Sequence, residues 1–390
     1  GEELGFRQSA VTQANEADAE RRAAIEAARL DAIDEHLNPL HREVMESHHA
    51  LARELGYGSY REMCQELKGI DLPALQAETD AFAAATEADY PMLLEPQLQR
   101  VLGIGFAELR PSDLPRFFRD PDSDRQFPAD RLVPTFIESL RGLGIGEQDN
   151  VVLDVEARPN KSPRAFCAAI RIPEEVRLVI APIGGRDDFS ALFHESGHTE
   201  HFAHVDPGLP FEFRCLGDNS ITECFAFLNQ HWVDDPAWLE RRLGIADPST
   251  AVAYARADRL LYLRRYTGKL AYEMELHGPG GDVSAAMAGR YADLLGRALQ
   301  LEWSPQTYLA DVDPGFYSAC YLRAWALETS LRAHFRERYG PAWFDSPEAG
   351  AELQSLWSQG QRSSPDELLA EIGRPPLRFD VLLEDLGLGS

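Results

Sequence analysis

Apolar residues recur at helical spacing along most of this chain. Over residues 9–69 they fall three and four positions apart among Glu and Arg, with Gly or Pro mainly at breaks such as Gly56-Tyr57-Gly58, which predicts a run of helices. Residues 72–102 read the same way, with Pro73 where a helix can begin and Pro91 interrupting or bending the run. Residues 120–128 (DPDSDRQFP) read as an exposed acidic turn, and 132–143 as an amphipathic helix. After Gly144-Ile145-Gly146 the pattern changes. Short β-branched or aromatic runs at 151–155, 165–172 and 176–180, separated by Pro, Asn and Gly, predict one small antiparallel sheet. Helical spacing then returns at 187–205, 220–233, 249–277, 282–301, 317–339 and 346–360. The expected architecture is mainly α, with a helical N-terminal lobe over 1–150 and a second lobe over 151–390 that carries the sheet.

Composition narrows the function classes. The chain has 390 residues, 44% of them hydrophobic and 26% charged, which is ordinary globular usage with ample core. With 38 Lys+Arg against 64 Asp+Glu, its formal net charge is −26, so its surface repels phosphate backbones and nucleic acid is not an expected partner. No apolar run reaches the roughly 18 residues of a membrane span, and Gly1-Glu2-Glu3-Leu4 lacks the layout of a signal peptide. Cys64, Cys167, Cys215, Cys224 and Cys320 are odd in number and form no C-x-x-C pair, so they read as reduced thiols of a cytoplasmic protein. The chain opens on Gly rather than Met, as a trimmed piece of a longer protein would.

The chemistry concentrates at His194-Glu195-Ser196-Gly197-His198, an H-E-x-x-H motif. On a helix the two imidazoles lie on one face a turn apart and can hold one metal ion between them. Glu195 then stands beside the ion, placed to take a proton from water as general base. Gly184-Gly185 leads into Asp187-Asp188 as N-cap residues, and Phe189, Leu192 and Phe193 supply a packing stripe. Gly197 costs about 1 kcal/mol against Ala in a helix, which predicts a close approach to the backbone there.

A hydrolytic zinc site needs a third protein ligand. His201 lies seven residues after His194, a helix rise of about 10.5 Å, too far to share an ion held by the other two rings. Glu223 is the best candidate, on a second helix after the Pro207-to-Gly217 turn. Its other reading is a capping box, Ser220-x-x-Glu223, in which the carboxylate reaches back to the Ser220 amide.

Phe193 to His201 (FHESGHTEH), the Glu223 helix and Asp154 to Cys167 (DVEARPNKSPRAFC) together resemble the thimet oligopeptidase and oligoendopeptidase F group of zinc metallopeptidases, over about 151–390. The resemblance implies a two-lobed, mainly helical fold with a deep cleft, one small sheet beside the active-site helix, one zinc ion and hydrolysis of short peptides. It implies His194, His198 and Glu223 as ligands, Glu195 as base, and C-terminal tyrosines at the reacting carbonyl. At Asp311-Val312-Asp313-Pro314-Gly315-Phe316-Tyr317 the chain departs from the family: its His is absent and Phe316 stands where a Tyr is expected. Tyr317 and Tyr321 share one helix face and are the candidate oxyanion donors, with plain core packing as the other reading.

Two rivals remain at this level. One is a metallocarboxypeptidase of similar helical fold, resembling the carboxypeptidase from thermophiles, which also joins H-E-x-x-H to a later Glu. The other is a zinc-containing peptide-binding protein with little turnover, motivated by the absent His. His204 and His231 read as ordinary polar residues, His48-His49 as a helical pair with no partner at ligand spacing, and Lys161 and Arg164 either as contacts for a peptide carboxylate or as a solvated loop.

Overall fold

The computed structural model describes residues 4–159, 161–162 and 164–388, so Asn160 and Pro163 of the Asp154–Cys167 stretch, and Gly1, Glu2 and Glu3, lie outside the described residues. Among the described residues the protein is mainly helical with one three-stranded sheet. Among the described residues, no helix is long and apolar enough to cross a membrane. The chain forms two compact units, Gly1–Pro121 with Arg256–Leu322, and Asp122–Ala255 with Arg323–Ser390. Each unit is therefore built from two stretches, unlike a division by one cut at residue 150. The change from helical to strand pattern marks where the sheet begins, and packing is under no obligation to follow it.

In the first unit, helix ends follow local chemistry. Ser59 caps Tyr60–Lys68 by accepting the Glu62 N–H at 3.1 Å, and Gly69 ends that helix at φ 63. Asp71 accepts the Ala74 N–H at 3.0 Å to start Leu72–Ala85, with Pro73 in the first turn. Pro91 does not interrupt a helix. It sits in the first turn of Asp89–Leu102, where a missing N–H leaves no bond unmade, and the break falls earlier, at Thr86. The core gathers Met45, Tyr272, Leu276, Tyr291, Leu295, Tyr308 and Leu309. Arg264, fully buried, donates to the Ala298 carbonyl at 2.7 Å, to the Ala83 carbonyl at 2.6 Å and to Glu87 at 2.6 Å.

The acidic turn after residue 120 is not wholly exposed. Asp120 is buried in a two-pronged pair with Arg100 at 2.7 and 3.1 Å, and Phe127 is buried against Phe189 in the second unit. A short polar stretch shows its charges in the sequence but not the partners that draw them inward. His49 is likewise no ordinary surface residue: its Nε2 lies 2.8 Å from Nδ1 of His277, both rings buried beside Tyr60. Burial, then the neighbouring His49, pushes His277 down to about 3. A histidine held below its unfolded value of 6.5 stabilises the fold while neutral, and that stability is lost as pH falls below 6.5 toward 3. Going from pH 7 to 5 should therefore cost about 2 kcal/mol through His277 alone. Urea unfolding at the two pH values checks this, and His277→Gln should show a shallower pH slope.

The second unit holds strands β1 Val151–Asp154, β2 Phe166–Arg171 and β3 Glu175–Val179, in the order β1-β3-β2. The sheet is mixed rather than antiparallel. β2 and β3 form a hairpin, whereas β1 adds to the far edge of β3 in parallel, Val151 opposite Val176. The stretch between β1 and β2 is long enough to cross over, and strand pattern alone carries no direction. Helix Arg186–Ala203 lies on β2 and β3, and Phe189, Leu192 and Phe193 are buried as its stripe predicts. Phe193 meets Trp238 at 5.1 Å and Trp232 at 5.9 Å between ring centres, closing an aromatic core under the helix.

Candidate metal centre

The turn before the H-E-x-x-H helix uses Gly184 and Gly185 at φ 90 and 95, a region that side chains rarely adopt. Asp188 does not cap the helix as expected. Its carboxylate turns back to accept the Ile183 and Gly184 N–H groups at 2.5 and 2.7 Å, bracing the turn, and Gly185 takes the N-cap position.

His194 and His198 project from this helix, their ring centres 5.1 Å apart. Each is oriented by the second helix, Asn219–Gln230. Nδ1 of His194 lies 2.8 Å from Gln230 Oε1, and Nδ1 of His198 lies 2.8 Å from Thr222 Oγ1. With both Nδ1 atoms engaged, both Nε2 atoms turn inward. They meet Glu223, whose Oε2 is 3.5 Å from His194 Nε2 and 3.6 Å from His198 Nε2. Glu223 is not a capping residue. Asp218 caps its helix by accepting the Ser220 N–H at 2.9 Å, which puts Ser220 inside the first turn and frees the Glu223 carboxylate for the histidines.

The donor set fits a zinc ion. Bonds of about 2.1 Å at tetrahedral angles separate donor atoms by roughly 3.4 Å. The two measured separations of 3.5 and 3.6 Å match that span, and one atom from each of the three residues falls within 4.8 Å of the others. Two imidazoles and one carboxylate leave a fourth position for water or substrate. Among the described residues, this is the one group of three or more such side chains with that geometry.

The carboxylate and the imidazole beside it also stabilise each other's charged forms. Burial opposes charge on Glu223, but the His198 and His194 rings outweigh it and hold the carboxyl well below the usual range. Burial also opposes charge on His194, and the Glu223 carboxylate overcomes it, leaving His194 raised. His201 stays out of the group, as its helical rise predicts. It stacks on Phe202 with centres 5.2 Å apart and lies tilted against Phe225 at 5.0 Å, and burial pushes it down to about 3, so it is a neutral core residue.

Glu195 points toward the sheet. Its Oε2 accepts the Cys167 N–H at 2.8 Å, and the bond is available because β2 is an edge strand whose outer amides have no neighbouring strand. Gly197 marks the closest approach of the two helices: a Cβ there would lie 2.2 Å from the Phe225 carbonyl oxygen and 2.5 Å from Ala226 Cα. Asn229 Nδ2 adds a cross-link, donating to Ser196 Oγ at 3.1 Å.

The remaining candidates resolve individually. Tyr317 and Tyr321 belong to the first unit, stacked edge to face at 5.0 Å, with Tyr266 5.3 Å from Tyr321. Phe316 is buried at φ 57 against His277. Lys161 Nζ is taken by Asp154 at 2.9 Å inside its own loop, and His204 Nδ1 lies 2.7 Å from the Glu200 carbonyl oxygen. Sequence reasoning missed Gln230, Thr222 and the Cys167 amide. Gln230 stands seven residues after Glu223, two helical turns along the same face, which is the signal that could have found it.

No known protein family matches the sequence, and no curated protein matches it. Among solved structures, the fold matches a crystal structure of a protein assigned as oligoendopeptidase F, with TM-score 0.72 and 15% identity, covering 99% of this chain and 70% of that one. The chain has the oligoendopeptidase F fold. That agrees with the resemblance carried by the H-E-x-x-H helix and the Glu223 helix, and it extends the likeness to the helical first 150 residues, where the sequence resemblance is loose.

Within the oligoendopeptidase F fold, Gly197 offers a test of sign. In an open helix Gly→Ala stabilises by about 1 kcal/mol. Gly197→Ala should instead destabilise by ~1–3 kcal/mol, as overpacked sites do, by spreading the two helices. The denaturant midpoint checks the sign.

Proposed function

We propose that this protein is a zinc-dependent peptidase acting on short peptides, in the manner of an oligoendopeptidase. The observation that carries the reading is the convergence of His194 Nε2, His198 Nε2 and Glu223 Oε2, with Glu195 on the same helix as both histidines. The shared fold of a protein bearing the oligoendopeptidase F name supports the same class.

His194, His198 and Glu223 would hold the ion, whose Lewis acidity lowers the pKa of an attacking water toward ~7 and polarises the scissile carbonyl. Gln230 and Thr222 keep the two imidazoles in the tautomer and orientation that ligation needs. Glu195, steadied through one oxygen by the Cys167 amide, accepts the proton of the attacking water with the other. The same carboxyl then gives that proton to the departing amine, so the base of the first step is the acid of the second. A site built only to bind peptide has no use for a general base beside the ligands, and that weighs against the low-turnover alternative.

Metal analysis coupled to peptide hydrolysis tests the proposal. About one zinc per chain is expected, activity should vanish on chelation and return with zinc, and peptides with amidated C-termini should be cut as well as free ones. Cleavage confined to free C-termini would transfer the reading to a carboxypeptidase. Protein without bound zinc and without hydrolysis would remove it altogether.

A further inference from the structure

We propose that Arg323 is a positioning residue for the metal ligand Glu223, acting through the first turn of the Asn219–Gln230 helix; the inference rests on the metal-site reading above. Arg323 stands on helix Tyr317–Tyr339, a hundred residues further along the chain than the turn it grips. Its Nη1 donates to Asp218 Oδ2 at 2.6 Å and to Ser220 Oγ at 3.1 Å. Both partners are largely withdrawn from solvent, with 13% of the Arg323 side chain and 11% of the Asp218 side chain exposed.

Stabilising the helix is not a sufficient reason for this guanidinium. Asp218 already caps the helix through its other oxygen, which accepts the Ser220 N–H at 2.9 Å. A cation at a helix N-terminus also opposes the helix dipole, so for stability alone a neutral neighbour would serve better. What the contact adds is a fixed rotation. One guanidinium nitrogen bonded both to the N-cap carboxylate and to a hydroxyl two residues on ties two points of the same turn to a neighbouring helix.

Glu223 lies between two anchors. Three residues before it is Ser220, held by Arg323; two and three residues after it, Phe225 and Ala226 lie against Gly197. The Gly197 contact sets the spacing between the helices, and Arg323 fixes the turn about the axis at the other end. A rotation of roughly 10° moves an atom ~6 Å from a helix axis by ~1 Å. That exceeds the ~0.5 Å within which a preorganised ligand set must be held. A second tie between the same helices, the stack of Phe227 on Trp325 at 4.8 Å, lies beyond Glu223 and cannot replace the grip on the first turn.

Zinc affinity of full-length wild type, Arg323→Ala and Arg323→Lys, measured by competition with a chromogenic chelator alongside thermal unfolding of the zinc-free proteins, tests this. Arg323→Ala should weaken zinc binding ~10–100-fold, the range of an outer-shell partner. Arg323→Lys, which keeps a donor to Asp218, should recover at least half of the loss on a logarithmic scale. Zinc affinity within threefold of wild type in Arg323→Ala overturns the proposal. So does a loss of affinity that Lys does not relieve, or one that follows the thermal unfolding of the zinc-free chain across the variants. If wild type itself binds no zinc, the metal-site reading fails first, which separates the two failures.

Discussion

Glu195→Gln should leave zinc content unchanged and lower kcat for peptide hydrolysis by ~10²–10⁴, the usual contribution of a positioned general base. The substitution is nearly isosteric. The amide oxygen can still accept the Cys167 N–H, so the side chain keeps its anchor on β2, and the three proposed ligands are untouched. Only the ability to take up and return a proton is removed. KM should change little, because the substitution keeps the size and anchor of the side chain. Elemental analysis and steady-state kinetics on the same preparation read both quantities, and a variant within tenfold of the parent would take the role of base away from Glu195.

Glu223→Ala should lose the metal itself. Two imidazoles remain in place, held by Gln230 and Thr222, but the third donor and the only negative charge among the proposed ligands are gone. Removing an outer-shell partner costs 10–100-fold in affinity, and removing a ligand should exceed that. Zinc stoichiometry after dialysis should fall to near zero and hydrolysis with it. Glu223→Gln, which keeps an oxygen donor but no charge, should fall between. The capping alternative makes the opposite prediction, a less stable helix with zinc retained, so circular dichroism and metal content on one sample discriminate between them.

The sequence exposed a good deal of this site because its parts are local. Two histidines four residues apart need only a helix to face one another, and residues 186–203 are a helix for reasons present in the segment itself. Gly197 was legible as a close approach, since a glycine in a helix interior is costly unless something needs the space. Its partner was not, because Phe225 and Ala226 are brought there by a turn whose path no spacing rule gives. Glu223 read as the best candidate for third ligand, with a capping role as its other reading. Asp218 takes the capping position, and the Glu223 carboxylate lies against both imidazoles.

Legible in the sequence were most of the long helices, the strand-bearing stretch, the H-E-x-x-H face and a short choice of third ligands, while short helices such as Leu114–Arg119, Pro236–Leu243 and Pro365–Glu371 were not. Only the tertiary structure decided the mixed order of the sheet, the inward turn of Asp120, the pairing of His49 with His277, and the hold of Arg323 on a helix a hundred residues away. Those depend on which distant segments meet, and a polar side chain carries the same letter whether its partner is water or a buried group across the fold.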